Sequence, residues 1–161
     1  MRKIQITRGF DALVDDEDYD RLSRYHWCYH GGGYAARGYH ENGKVRIEKM
    51  HQAIMGIAPE GYMIDHINGD KLDNRRSNLR FVTHQQNMFN SKPKINVKGK
   101  RCRSRFKGVT WRGDRGKWRS CITIDRKRHY IGLYDTEEEA AIAYNNAAIT
   151  LFGEYAKLNE I

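Results

Sequence analysis

The chain has 161 residues, 29 Lys or Arg against 20 Asp or Glu, a formal charge of +9 and a sequence pI near 9.5, which suits one domain of ordinary size or two small ones. With 39% hydrophobic and 30% charged residues and a mean hydropathy of −0.85, the core must be thin and the surface very polar, while three Trp, ten Tyr and five Phe along the chain exclude wholesale disorder. No run approaches the roughly 18 apolar residues of a membrane span, the start lacks the apolar stretch of a signal peptide, and a cytoplasmic protein without a membrane partner is expected. Cys28, Cys102 and Cys121 are odd in number and widely spaced, fitting neither a disulfide framework nor a Cys-x-x-Cys zinc site, so free thiols are expected.

In chain order, residues 3–6 read as a short strand and residues 15–25 as a helix with an acidic start, Leu22 and Tyr25 being available for packing. Two strands at 33–39 and 45–48 flank Glu41-Asn42-Gly43-Lys44, a hairpin signal because Asn and Gly tolerate positive φ. A short helix is expected over 50–55, where His51 reads as a packed residue. Strands at 62–66 and 79–83 with a helix from 84 to 90 then make a β-loop-β-α unit. Residues 91–104 carry charge, one Pro and one Gly without apolar periodicity, and read as a basic linker.

The last part predicts strands at 105–111, 117–125 and 128–134 and a helix over 137–152, opened by a Thr136–Glu139 capping box and ended by Gly153. Ala140, Ala143, Tyr144, Ala147, Ala148 and Leu151 recur on one helical face, against which Trp118, Ser120, Ile122 and Ile124 alternate inward. The opposite sheet face then presents Arg119, Cys121 and Thr123, with Arg112, Arg128 and Tyr130 from neighbouring strands. Residues 91–132 hold 15 basic groups against 2 acidic ones. Such a segment repels itself unless an anion neutralises it, and interleaved aromatics point to nucleic acid rather than a solvated tail.

Between the middle strands, residues 64–80 pack carboxylates, amides and one imidazole into a short loop. His66 is suited to activating water near neutral pH, and Asp65 offers a hard oxygen to Mg²⁺ or Mn²⁺, with Asn87 on the following helix as a second donor. The competing reading is structural, since Asn and Asp in loops commonly cap turns.

Asp65-His66-Ile67-Asn68-Gly69-Asp70, Asn74, Asn78-Leu79-Arg80 and Asn87 resemble the HNH (ββα-metal) nucleases, particularly the phage and bacterial homing-endonuclease branch. Residues 12–19 and 50–56 resemble the N-terminal part of those proteins. Ser104-Arg105-Phe106-Lys107-Gly108-Val109, Gly116-Lys117-Trp118, Tyr130-Ile131-Gly132-Leu133-Tyr134, Thr136-Glu137-Glu138-Glu139-Ala140-Ala141 and Lys157-Leu158-Asn159 resemble the plant Apetala-two/ethylene-response-factor DNA-binding domain.

The resemblances imply an α+β chain with a small β-rich start leading into a ββα nuclease unit. Strands and nuclease would occupy residues 1–90, with the ββα core at about 60–90, a basic linker 91–103, and a three-stranded antiparallel sheet on one helix 104–161. They imply a one-metal, site-directed DNA endonuclease in which His66 is the general base, Asp65 and Asn87 hold one Mg²⁺ or Mn²⁺, and Asn78 holds the loop. Most HNH nucleases end the motif in His where this chain has Asn87, and His84 is the alternative ligand.

DNA contacts are implied at Lys107, Thr110, Arg112, Arg119, Cys121, Thr123, Arg128 and Tyr130. Linker residues Lys98, Lys100, Arg101 and Arg103 would follow the backbone or a minor groove. The expected partner is double-stranded DNA in a bacterial or phage-infected cell, with no small-molecule cofactor. A monomer with one active site would nick unless two copies meet. The alternative is a DNA-binding regulator whose nuclease loop is inactive.

Overall fold

The computed structural model describes residues 1–91 and 104–161, and only the backbone of 96–97 and 100–101. The chain divides into two compact units, Met1–His84 and Gln85–Ile161.

The first unit opens with β1 (Arg2–Gln5) and β2 (Asp11–Val14), paired antiparallel with Arg2 opposite Val14. Arg8 and Gly9, at φ 68° and 75°, turn the chain between them. Helix α1 (Asp16–Leu22) carries three acidic residues in its first turn, where they complement the helix dipole. Leu22 is fully buried, worth roughly 1.5–3 kcal/mol, but Tyr25 is 45% exposed and packs instead under the Arg37 guanidinium, 3.6 Å from its ring centre. The expected packing role therefore holds for Leu22 alone, because the helix ends before Tyr25 could share its face.

Next come β3 (Cys28–His30), β4 (Tyr34–Glu41) and β5 (Lys44–Lys49), an antiparallel sheet in that order. Asn42 and Gly43, at φ 51° and 71°, form the two-residue turn joining β4 to β5, so the hairpin is longer than its apolar residues suggested. Helix α2 (Met50–Met55) leads to β6 (Tyr62–His66), which pairs antiparallel with β7 (Leu79–Thr83). Both strands have their expected bounds. Ile4, Ile6, Ala12, Val14, Leu22, Trp27, Ala35, Met50, Ile54 and Leu79 form one core. Trp27 places its indole N–H on the Leu22 carbonyl at 2.9 Å, so its polar atom is satisfied inside that core. Helix α3 (His84–Phe89) crosses the boundary between the units.

Within the second unit, β8 (Asn96–Val97) and β9 (Lys100–Arg101) pair antiparallel where a plain linker was expected. β10 (Val109–Arg112), β11 (Lys117–Ile124) and β12 (Lys127–Tyr134) form an antiparallel sheet in that order, packed on α4 (Glu137–Phe152). β10 begins later than residue 105. Ser104 instead binds Glu137 at 2.7 Å, Phe106 enters the core, and Gly108 takes φ +79°, which ends any extended run before Val109.

α4 starts with the expected reciprocal capping bonds, Glu139 N–H to the Thr136 hydroxyl and Thr136 N–H to the Glu139 carboxylate, each 3.2 Å. Its buried stripe is Ala140, Tyr144, Ala148 and Phe152 with Ala141 alongside. Leu151 was expected on that stripe but is 51% exposed, because the four-residue row passes through Phe152, whose ring stacks on Phe89 at 3.6 Å. Inward alternation on β11 holds at Ser120 and Ile122, both buried, with Trp118 and Ile124 half-buried; a register shift falls between Ser120 and Cys121.

Candidate active site and nucleic-acid interface

The β6–β7 register sets Asp65 opposite Arg80 and His66 opposite Leu79, putting a carboxylate and an imidazole at the mouth of the loop that joins the strands. Both side chains are buried, His66 at 4% exposure. Arg80 donates to Asp65 Oδ2 from Nε and Nη2, each at 3.2 Å, so the buried carboxylate has a counter-charge and a fixed orientation.

The His66 ring is aimed by Asn74, whose Oδ1 lies 3.2 Å from Nε2. Asn74 Nδ2 donates to the Leu72 carbonyl at 3.2 Å, which fixes the amide so that its oxygen faces the ring. Nε2 must therefore donate, and the neutral ring carries its lone pair on Nδ1. Burial holds this imidazole below its ordinary pKa, outweighing the opposite pull of Asn74 and of Asp65, Asp70 and Asp73.

The loop is locked by its own polar side chains. Asn78 accepts from Asn68 N–H at 3.0 Å and donates to the Asp73 carbonyl at 2.7 Å, spanning the loop from both sides. Asp73 is buried and receives Arg75 at 2.7 and 2.6 Å and Asn68 at 2.9 Å; the Arg75 bonds hold its carboxyl below the usual range. The N-terminal strands clamp the same loop. Leu13 N–H meets the Leu72 carbonyl and Asn74 N–H the Leu13 carbonyl, both at 2.8 Å. Arg76 reaches back to buried Asp18 at 2.8 and 2.9 Å.

Asn74 and Arg80, two residues of the loop and strand motif, thus act directly on His66 and Asp65, which sequence spacing alone did not reveal. His51, expected as a packed residue, is buried with its ring edge-on to His66 at 5.1 Å, and Tyr34 lies 5.2 Å from His51 and 6.1 Å from His66. Burial, then the neighbouring His66 and Lys49, push the His51 pKa down to about 3, so it stands neutral.

Asn87 is half-buried on α3, on the Gln85–Ile161 side of the boundary, and His84 is exposed at the start of that helix. Among the described residues no three His, Cys, Asp or Glu side chains converge. Asp73 is taken up by Arg75, and the Asp65 carboxylate, from the residue before the imidazole, fits a hard, largely hydrated cation such as Mg²⁺, which keeps waters and takes one or two carboxylates plus substrate oxygens. It does not fit the nitrogen and sulfur donor set that zinc favours.

In the second unit, Thr110, Thr123, Arg128 and Tyr130 are exposed on the sheet, Tyr130 at 63%. Arg112, Arg115, Arg119, Tyr130 and Leu133 line an open concavity of about 320 Å³; Arg115 was not anticipated because it lies in the turn after β10. Arg112 is held by Asp114 at 2.8 and 2.7 Å, and this pairing keeps the Asp114 pKa down at about 2. The buried Nε of Arg119 has no hydrogen-bond partner among the described residues.

Lys107, expected on the DNA side, turns the other way. Its ammonium donates to the Phe89 carbonyl at 2.5 Å and the Met88 carbonyl at 3.3 Å, and burial lowers its pKa to about 8. Cys28 and Cys121 are free thiols as expected, Cys121 half-buried. Lys98, Arg103 and Cys102 lie outside the described residues, as do the side chains of Lys100 and Arg101. Among the described residues no helix is long and apolar enough to cross a membrane.

The comparisons with known proteins divide where the chemistry does. The HNH endonuclease family model matches residues 50–89 and the AP2 domain model residues 104–154. An uncharacterised HNH endonuclease of Acanthamoeba polyphaga mimivirus is 32% identical over 156 residues, 96% of this chain and 77% of its own length. Protein 3.8 of Escherichia phage T7 is 35% identical over 110 residues, 68% of this chain and 85% of its own. An ethylene-responsive transcription factor of Arabidopsis thaliana is 45% identical over 56 residues, 34% of this chain and 30% of its own. No solved structure matches. A loop that presents an aimed imidazole beside a buried carboxylate is joined in one chain to a basic sheet of the plant type, and the protein belongs to the HNH endonuclease family with a C-terminal AP2 domain.

Proposed function

We propose that this protein is a site-directed, divalent-metal-dependent DNA endonuclease of the homing type, in which the first unit cuts and the second chooses the site. The observation that carries the reading is the His66–Asn74 hydrogen bond, which leaves the lone pair of a buried neutral imidazole on Nδ1, in the residue that follows Asp65. A general base needs that form before it meets water.

In the proposed reaction His66 Nδ1 takes the proton of a water whose oxygen bonds to the scissile phosphorus, as the bond from phosphorus to the 3′ oxygen breaks. Asp65 and Asn87 would hold Mg²⁺ or Mn²⁺, which when bound neutralises phosphate charge and stabilises the departing 3′ oxygen. Asn78 keeps the loop closed, and Arg80 keeps Asp65 oriented. Arg112, Arg119, Thr110, Thr123, Arg128 and Tyr130 would read duplex DNA from the sheet, whose three-stranded width suits a major groove. Cys121 flanks them. One site per chain nicks one strand.

The test is supercoiled plasmid carrying phage or host sequence, incubated with Mg²⁺ or EDTA beside His66→Ala. Relaxed product that requires metal and falls at least 100-fold in the variant is expected, with DNA affinity unchanged. Tight binding without cleavage in Mg²⁺, or in Mn²⁺ put in its place, would favour a DNA-binding regulator.

A further inference from the structure

We propose that Lys49 and Lys71, gathered on the ring of Tyr34, form a seat for a backbone phosphate of the DNA strand beside His66. This rests on the nuclease reading of the same loop and adds a substrate-binding pair to it. Lys71 lies on the His66 loop, with its ammonium 4.6 Å from the Tyr34 ring centre and 2.5 Å from the Gly32 carbonyl. Lys49 ends β5, with its ammonium 4.4 Å from the same ring centre. That ring is in turn 6.1 Å from the ring of His66.

Gly32 and Gly33, at φ +83° and +89°, make the turn that brings the accepting carbonyl to Lys71, and a Cβ on Gly33 would stand 3.7 Å from the Lys71 chain. Two cations are therefore held at one aromatic ring from separate segments of the unit.

Their lack of counter-charge is what points to a ligand. In the same unit Arg37 holds Glu48, Arg75 holds Asp73, Arg76 holds Asp18 and Arg80 holds Asp65. Neither Lys49 nor Lys71 has a carboxylate partner among the described residues. Two like charges drawn to one ring repel each other, and the ring offers each only a weak attraction. A phosphate relieves that repulsion, and a lysine ammonium binds phosphate as a flexible point charge. With the Tyr34 ring 6.1 Å from that of His66, a phosphate held there lies on a strand that passes the imidazole.

The test is the salt dependence of duplex binding by the full chain in EDTA, for the wild type, Lys49→Gln, Lys71→Gln, the double variant, and the two Lys→Arg variants. Each Gln is expected to lower the slope of log K against log salt by about 0.9, and each Arg to preserve it, with thermal midpoints confirming folded protein. Slopes that stay at the wild-type value in the folded Gln variants overturn the seat. If the double variant does not fold, the single and Arg variants decide. A falling slope in a protein whose wild type never cuts in Mg²⁺ would keep the phosphate seat and sink the nuclease reading; unchanged slopes in a protein that does cut would sink the seat alone.

Discussion

The two units solve opposite problems. In the first, the chemical side chains Asp65, His66, Asp73, Asn74 and Asn78 are all buried, and each is tied to a named partner. In the second, Thr110, Thr123, Arg128 and Tyr130 are open to solvent, Arg112 is held by the exposed Asp114, and of the side chains expected to meet DNA Lys107 turns inward. A cutting site must fix a proton acceptor to a fraction of an ångström, and only burial with full hydrogen bonding does that. A reading face must shed water onto a partner, so its charges stay near the surface and its stability rests on the layer beneath. The lesson is that substitutions in the first unit's site should change rate, whereas those on the second unit's face should change affinity and leave the fold intact.

That contrast can be broken most forcefully beneath the reading face. Gly108→Ala would drive a Cβ into the Tyr144 ring and to 2.6 Å from the Cys121 carbonyl, at a backbone φ of +79°. A loss of roughly 3 kcal/mol or more is expected. Amide hydrogen exchange should show protection falling across residues 104–161 and not across 1–84; an even loss would mean the units are not separate in stability. Next in size, Asn74→Ala removes the bond that aims His66, and a drop in kcat of about 10–100-fold is expected by analogy with the outer partners of catalytic ligands. KM and DNA affinity should hold, and a fall in affinity instead would place Asn74 in the interface.

On the sheet, Arg128→Ala should cost about 1–3 kcal/mol of discrimination at one base pair if it grips guanine, read by binding to single-substituted sites. Asp114→Asn should release Arg112 and tighten duplex binding, with a steeper salt slope; weaker binding would show that the pair positions Arg112 for DNA. The smallest effect separates the units by pH. Burial raises the Asp18 pKa, but the bonds from Arg76 and Arg21 outweigh it and hold the group below its ordinary 3.8. Its stabilisation of the first unit is present above about 4 and is lost as pH falls through the lowered folded value. Lys107 is displaced from 10.5 to about 8 by burial, so the unfolded chain holds the extra proton between those values and the second unit gains stability as pH rises from 8 toward 10.5. Asp18→Asn and Lys107→Met should each flatten their own limb of the melting profile, and one variant flattening both would deny the separation.

Legibility followed the range of the forces. The Asn42-Gly43 turn and the Thr136–Glu139 cap were readable because each depends on residues close in sequence, and β6 and β7 because each is a five-residue run holding apolar side chains next to a polar loop. β2 and β3 were not, since Asp11–Val14 and Cys28–His30 are short and become strands only through pairing with β1 and β4. Leu151 was misplaced by a single position on α4, where the choice between it and Phe152 depends on the Phe89 ring that fills the space.

For function, the sequence by itself determined the family and the groups on offer. The Asp65-His66 dipeptide, the amide-rich loop and the run of 15 basic residues against 2 acidic ones supply an imidazole, a hard oxygen donor and a strongly basic segment, since residue type and charge are properties of the chain. Only the tertiary structure decided which ring nitrogen carries the lone pair, which arginine holds Asp65, and that Lys107 faces inward. Those outcomes depend on Asn74, Arg80 and the Phe89 carbonyl arriving from positions 8, 15 and 18 residues away, and contacts at such separations are fixed by packing and strand register rather than by local preference.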